Sequence, residues 1–241
     1  MKVEGRNAVY ELLKTDKEIE KILVQKDLKD EGSKRLLNTI KSKNVKVQVL
    51  DKYVIEKESE SKRSQGFIAF VSDYKYFEIE DIVNAAKEKD SLVLVLNEVL
   101  DPHNLGSIIR VCECAGGDGI IIGKDRSAGV TDTVMRVSAG ALNHVKVAKV
   151  TNINVAIEEL KENGYWVYGL EADGGEIYKT DLTGKIALVV GGEDSGVKKL
   201  TRSKCDGIVS IPMLGKVNSL NASVACGVAV FEAVRQRKIK G

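Results

Sequence analysis

Residues 92–122 read LVLVLNEVLDPHNLGSIIRVCECAGGDGIII. The run 92–96 is continuously apolar, as expected of a strand buried on both faces of a parallel sheet. Asp101-Pro102 then makes a turn, because the residue before a proline is pushed out of the helical region. Helical spacing follows over 104–115, with Asn104 as a natural N-cap, and 120–122 is a second apolar run. Strand, helix, strand is a βαβ unit, and the alternation continues. Apolar runs recur at 145–147, 166–170, 186–190 and 208–211, with helical patterns at 133–139, 153–163, 197–203 and 219–238. This predicts a parallel sheet with helices on both faces over residues 91–241. Ligands in such sheets bind beyond the carboxyl ends of the strands.

Towards the N-terminus the cycle is shorter. Ala8, Val9, Leu12 and Leu13 have helical spacing after Asn7; Ile19, Ile22, Leu23 and Val24 suggest a strand; Leu36, Leu37 and Ile40 suggest a helix. Val45, Val47 and Val49 alternate with Lys46 and Gln48 as in a half-buried strand. The polar stretch EKESESKRSQG (56–66) predicts an exposed loop, and 67–71 a further strand. Residues 1–74 are thus expected to form a small α/β domain, and 75–90 a linker that includes a first helical pattern at Ile79, Ile82, Val83 and Ala86.

The 241 residues are 43% hydrophobic and 30% charged, enough for a sizeable core. The four cysteines, Cys112, Cys114, Cys205 and Cys226, have neither metal-ligand nor disulfide-framework spacing, and only two histidines accompany them. That argues against a metal site and for reduced thiols in a cytoplasmic protein. Neither a secretory leader nor an apolar run of about 18 residues is present, so a membrane location is not expected. Charge is uneven: residues 1–66 hold 16 Lys and Arg against 12 Asp and Glu. A mildly basic N-terminal piece fits a polyanion, although a solvated lysine-rich surface is the commoner meaning of such a bias.

Three segments carry candidate chemistry. In 97–117, Arg110 follows Asn104 by six residues, and a guanidinium near exposed helix amides makes a phosphate site; a surface salt bridge is the ordinary alternative. In LVVGGEDSGV (188–197) an apolar strand runs into Gly191 and Gly192, then Glu193 and Gly196. The glycines permit close backbone approach to a ligand, but the dinucleotide fingerprint is absent and a plain strand-to-helix turn is the commoner reading. In IPMLGKVNSLNASVACG (211–227) a strand is stopped by Pro212, a loop carries small and polar groups, and a helix starts near Ser219 or Asn221. Three such loops at the ends of strands of one sheet describe a pocket.

DPHNLGSIIR, VGGEDSGV and IPM-x-G-x-x-x-SLN-x-S resemble, in order and spacing, the three signature motifs of the SpoU (TrmH) branch of the SPOUT RNA methyltransferases, and VSAGAL (137–142) is similar to that family as well. GRNAVYELL and SQGFIAF resemble the appended RNA-binding domain of the 23S rRNA guanosine 2′-O-methyltransferase subgroup, with Ser64 where that subgroup has histidine. The resemblance implies a parallel-sheet catalytic domain threaded into a deep trefoil knot, a homodimer, and S-adenosylmethionine as methyl donor to a guanosine ribose of structured RNA. It implies cofactor binding at Gly191, Gly192, Gly196, Ile211, Met213 and Leu220. It also implies a catalytic set of Arg110, Asn104, Glu193, Ser219 and Asn221.

A neutral arginine is a poor general base, its pKa exceeding about 12. Arg110 is therefore expected to clamp an RNA phosphate and stabilise the developing alkoxide, with the proton passing to phosphate or water. A tRNA guanosine as substrate, or a catalytically silent RNA-binding module, are the competing readings.

Overall fold

The computed structural model describes residues 2–15, 17–43, 45–72, 74–86, 90–192, 196–216 and 219–240. The chain forms two compact units, Met1–Lys75 and Tyr76–Gly241.

The first unit contains β1 (Lys2–Glu4), α1 (Arg6–Leu12), β2 (Glu18–Gln25), α2 (Glu31–Ser42), β3 (Val47–Leu50), α3 (Lys52–Glu58) and β4 (Phe67–Ser72). Its sheet has the order β1-β4-β2-β3; β4 runs antiparallel to both neighbours and β2 parallel to β3. Alternation along β2 splits the apolar residues between two faces. Ile22 and Val24 pack with Val9, Leu12, Leu36, Ile40 and Phe67, whereas Leu23 packs with Ile55 and Ile68. Sequence periodicity misses two elements. β1 is three residues long and is held by pairing with β4, and α3 presents one fully buried side chain, Ile55, too few for a helical stripe. α3 also takes the first part of the stretch expected as loop.

The second unit contains α4 (Ile79–Ala85), β5 (Ser91–Asn97), α5 (Pro102–Cys114), β6 (Gly119–Gly123), α6 (Asp132–Val137), β7 (Lys146–Val150), α7 (Ile153–Glu162), β8 (Trp166–Glu176), β9 (Lys185–Gly191), α8 (Lys199–Lys204), β10 (Gly207–Ser210) and α9 (Ala222–Lys240). The sheet order is β10-β8-β9-β5-β6-β7, with every neighbouring pair parallel. All seven residues of β5 are buried, as the unbroken apolar run requires. Val93, Val95, Ile121, Val167, Ala187 and Val189 share one core with α7 and with Ile79 and Ile82 of α4. The 75–90 stretch expected as linker therefore contributes two buried residues to this unit, because its helix carries an apolar face. α5 packs against α6 and α9.

α9 starts directly after Asn221, whose Oδ1 accepts from Ser223 N (3.0 Å) and Val224 N (3.3 Å). Cys226, Ala229, Val230 and Ala233 are buried on one face; Val224 and Phe231 are about half exposed in the single chain. Near its end, Arg237 Nη2 donates to the carbonyls of Ser91 (2.7 Å) and Gly184 (2.9 Å), tying α9 to the start of the central strands. No helix among the described residues is long and apolar enough to cross a membrane.

Candidate active site

Because the strands are parallel, the ends of β8 and β9 and the segment after β10 come to the same edge of the sheet. They enclose a cleft of about 220 Å³. Leu170, Glu171 and Ala172 line it from β8; Val190, Gly191, Gly192 and Gly196 from β9 and the following loop; Ile211, Met213, Ser219, Leu220, Ala222 and Ala225 from the segment leading into α9. All six residues expected to bind a cofactor (Gly191, Gly192, Gly196, Ile211, Met213, Leu220) stand in this wall.

Glycine is required where backbones touch. A Cβ on Gly191 would overlap the main chain of Gly196 and Val197, and one on Gly192 would overlap the carbonyl of Glu98. Asn97, buried at the end of β5, hangs both ends of this loop. Its carbonyl accepts from Gly192 N (2.9 Å), and its Oδ1 accepts from Lys198 N (2.9 Å). Gly196 N donates to the Gly192 carbonyl (3.0 Å), and the Glu171 carboxylate accepts from Val197 N. Glu98, with φ 65°, bridges Lys198 (3.0 Å) and Arg126 (3.2 Å). The loop is therefore shaped by backbone hydrogen bonds and a side-chain bracket from neighbouring strands.

The expected catalytic residues divide into three groups. Asn104 and Asn221 meet: Asn221 Nδ2 donates to Asn104 Oδ1 (3.0 Å), joining the first turn of α5 to the cap of α9. Ser219 lies in the cleft wall two residues before Asn221. Asn104 is not the N-cap of α5; Asp101 is, its Oδ1 accepting from His103 N (2.9 Å), because Pro102 occupies the first helical position and moves the start upstream. Arg110 stands apart. It is exposed, six residues or about 9 Å of helix axis beyond Asn104, and is absent from the cleft wall. It forms no hydrogen bond or ion pair with the described residues, so the surface salt bridge weighed for it is absent there. Glu193 lies outside the described residues.

Sequence reasoning missed Asn97, Glu98 and Glu171. Position alone offered a signal, since Asn97 and Glu171 follow apolar runs at the functional edge of the sheet. The two buried thiols are not activated. Burial pushes Cys226 up to about 12, and burial together with nearby Cys226 raises Cys112.

In the first unit, the two segments that carry the RNA-binding resemblance come together. Gly5 N donates to the Phe67 carbonyl (3.0 Å), and Arg6 N to Gln65 Oε1 (3.1 Å). Ser64 beside Gln65 is buried. Glu4 organises the adjoining loop, accepting from Ser59 Oγ (2.8 Å), Glu60 N (2.7 Å), Ser61 N (3.0 Å) and Ser61 Oγ. Burial works to raise its carboxyl, but these hydrogen bonds outweigh it and hold the group down at about 2.

The SpoU rRNA Methylase family model matches residues 91–231, and one for RNA 2′-O ribose methyltransferase substrate binding matches residues 2–77. The chain is 38% identical to YacO of Bacillus subtilis (strain 168), described as a TrmH family tRNA/rRNA methyltransferase, over 99% of this chain and 97% of YacO. It is 40% identical to a protein of the same description from Staphylococcus aureus (strain COL), over 98% of this chain and 96% of that protein. The fold resembles that of the SpoU methyltransferase AviRb from Streptomyces viridochromogenes, crystallised with AdoMet, with a TM-score of 0.64 and 24% identity over 100% of this chain and 91% of AviRb. The A. aeolicus TrmH/SpoU tRNA modifying enzyme covers 68% of this chain, and the match spans 82% of that enzyme, at 29% identity and a TM-score of 0.58. Two family matches covering nearly the whole chain, on a parallel sheet with a glycine-walled cleft at its functional edge, lead to one conclusion: the chain belongs to the SpoU (TrmH) family of RNA methyltransferases.

Proposed function

We propose that this chain transfers the methyl group of S-adenosylmethionine to a guanosine ribose 2′-hydroxyl of large-subunit (23S) rRNA. The observation that carries the reading is the convergence of Gly191, Gly192, Ile211, Met213, Ser219 and Leu220 on one cleft, beside the Asn104–Asn221 pair. The cleft suits the donor. Its apolar side chains, Leu170, Val190, Ile211, Met213 and Leu220, offer a surface for a purine, and the glycine backbones can approach a ribose without side chains in between. When bound, S-adenosylmethionine supplies an electrophilic methyl group.

The protein's part is to place the hydroxyl, stabilise the charge growing on its oxygen and let its proton leave. Asn104 and Asn221 fix the approach of α5 to the start of α9 and so shape the cleft mouth. Arg110, exposed and without a partner among the described residues, has its guanidinium available for an RNA phosphate and for the developing alkoxide. Its proton is not the one transferred, since guanidinium stays charged at any working pH. Phosphate or water accepts the hydroxyl proton, and Glu193 belongs to the expected catalytic set.

Residues 1–74 act as the substrate-recognition domain, and the catalytic domain 91–241 takes in the helix α4 of the 75–90 stretch, whose Ile79 and Ile82 are part of its core. A homodimer built over α9, where Val224 and Phe231 are open in the single chain, and a deep trefoil knot belong to the same reading, as does a cytoplasmic location.

The test is incubation of the full chain with methyl-labelled S-adenosylmethionine and either 23S rRNA or tRNA, followed by nucleoside analysis. Labelled 2′-O-methylguanosine from rRNA is expected. The same product from tRNA alone would move the substrate to tRNA, and no labelled nucleoside from either RNA would leave the silent module as the better account. A companion variant, Arg110→Lys, is expected to lower turnover at least 10-fold by losing the guanidinium fork while keeping the charge.

A further inference from the structure

Among the described residues of the cleft wall, Glu171 is the one side chain that carries a charge. The rest of that wall is glycine, alanine, larger apolar side chains and the hydroxyl of Ser219. A ligand that fills this apolar cleft displaces the water beside the half-buried carboxylate, so that the field of the carboxylate on the ligand is weakly screened. The hydrogen bond from Val197 N fixes the carboxylate beside the glycine loop. Arg202, outside the cleft wall, feels the Glu171 charge but pairs directly with Asp173 (2.7 Å). With no ion pair among the described residues, the Glu171 carboxylate can still act on whatever occupies the cleft.

We propose that Glu171 is a specificity-determining residue that makes the cleft favour a ligand bearing positive charge at its reacting centre over the neutral product of the same shape. The inference rests on the cofactor reading above. S-Adenosylmethionine carries a sulfonium that S-adenosylhomocysteine lacks, while both share the adenosine and the amino-acid group. The methyl transfer itself discharges the sulfonium to a thioether. The interaction with Glu171 is thereby lost on turnover, and the spent cofactor is held less tightly than the fresh one.

The experiment is calorimetric titration of the full chain, wild type and Glu171→Gln, with three ligands: S-adenosylmethionine, S-adenosylhomocysteine and sinefungin, in which a protonated amine stands in place of the sulfonium. The glutamine retains an oxygen that accepts from Val197 N and removes only the charge. The expected result is that the ratio of S-adenosylmethionine to S-adenosylhomocysteine affinity falls about 10-fold in Glu171→Gln. Sinefungin should follow S-adenosylmethionine, and the S-adenosylhomocysteine affinity should change less than about 2-fold. An unchanged ratio with all three ligands bound overturns the inference and leaves the cofactor assignment intact, whether or not the affinities fall together. Failure of wild type to bind any of the three overturns the cofactor assignment, and this inference with it.

Discussion

The six-stranded sheet runs all its strands in one direction with core on both faces, whereas the four-stranded sheet pairs β4 antiparallel with two neighbours and leaves Val47 and Val49 of its edge strand β3 exposed. Direction decides what each sheet can hold. Parallel strands deliver every carboxyl end to one edge, so segments far apart in sequence, at the ends of β8 and β9 and after β10, build one cleft. The mixed sheet divides its strand ends between two edges. Its special features are local side-chain arrangements, such as the Glu4 hydrogen bonds to residues 59–61 and the Arg6–Asp30 ion pair (2.6 Å). Damage to the cleft glycines of the first should weaken cofactor binding; damage to the side-chain arrangements of the second should shift stability and leave cofactor binding unchanged.

The largest effect is expected at Gly191. Its Cβ position is filled by the backbone of Gly196 and Val197, so Gly191→Val must displace the loop. Cofactor affinity should fall by at least 100-fold in calorimetry. Hydrogen exchange in residues 2–72 should remain at its wild-type level, since that unit has its own core. Exchange accelerated throughout both units would break the contrast.

Asn97 comes next. Asn97→Leu keeps the branching of the side chain but leaves Lys198 N without its acceptor. A cost of about 2 kcal/mol follows, or roughly 4–8 °C in the melting temperature. Asn97→Asp, which retains an acceptor oxygen, should recover most of it. Scanning calorimetry of the three proteins provides the comparison.

A smaller effect is expected at Glu4 and depends on pH. Its folded carboxyl lies at about 2 against an ordinary 4.5. The stabilisation is therefore complete above pH 4.5 and is lost as pH falls from there towards 2. Glu4→Gln should cost about 1 kcal/mol at neutral pH, allowing for solvent screening. It should also flatten the acid limb of stability against pH, with faster exchange at Glu60 and Ser61. An acid limb identical to wild type would show that Glu4 does not organise the loop.

An effect of similar size, but independent of pH, is expected at Asn221. Removing the cap of α9 and the bond to Asn104 in Asn221→Ala should cost about 1 kcal/mol by thermal unfolding. A stability loss confined to the end of α9, without loosening of α5, would mean that the Asn104–Asn221 bond couples nothing.

The same contrast explains what could be read before the coordinates. The parallel sheet was legible because β5, β6 and β9 carry continuous apolar runs and helical patterns alternate with the strands. That the cleft glycines, Ile211, Met213 and Leu220 belong together was legible through the resemblance of their motifs to those of the SpoU family; position at strand ends marked only the loops that hold them. β1 and α3 were not, since pairing with β4 and the single anchor Ile55 produce no periodic pattern. Asn97 and Glu171 were missed for a different reason. Their importance comes from backbone N–H groups of Lys198 and Val197, 101 and 26 residues away in the chain, and no local pattern encodes such partners. Arg110 shows the converse: the motif marked it, but its neighbour on the helix, not the cleft wall, is what the sequence spacing conveyed.

The central claim is that the loops after β8, β9 and β10 close around the methyl donor. A crystal of the full chain grown with S-adenosylhomocysteine tests it most directly. The account predicts the ligand in contact with Gly191, Gly192, Ile211 and Leu220. The ligand bound elsewhere, with that cleft holding only solvent, would contradict it.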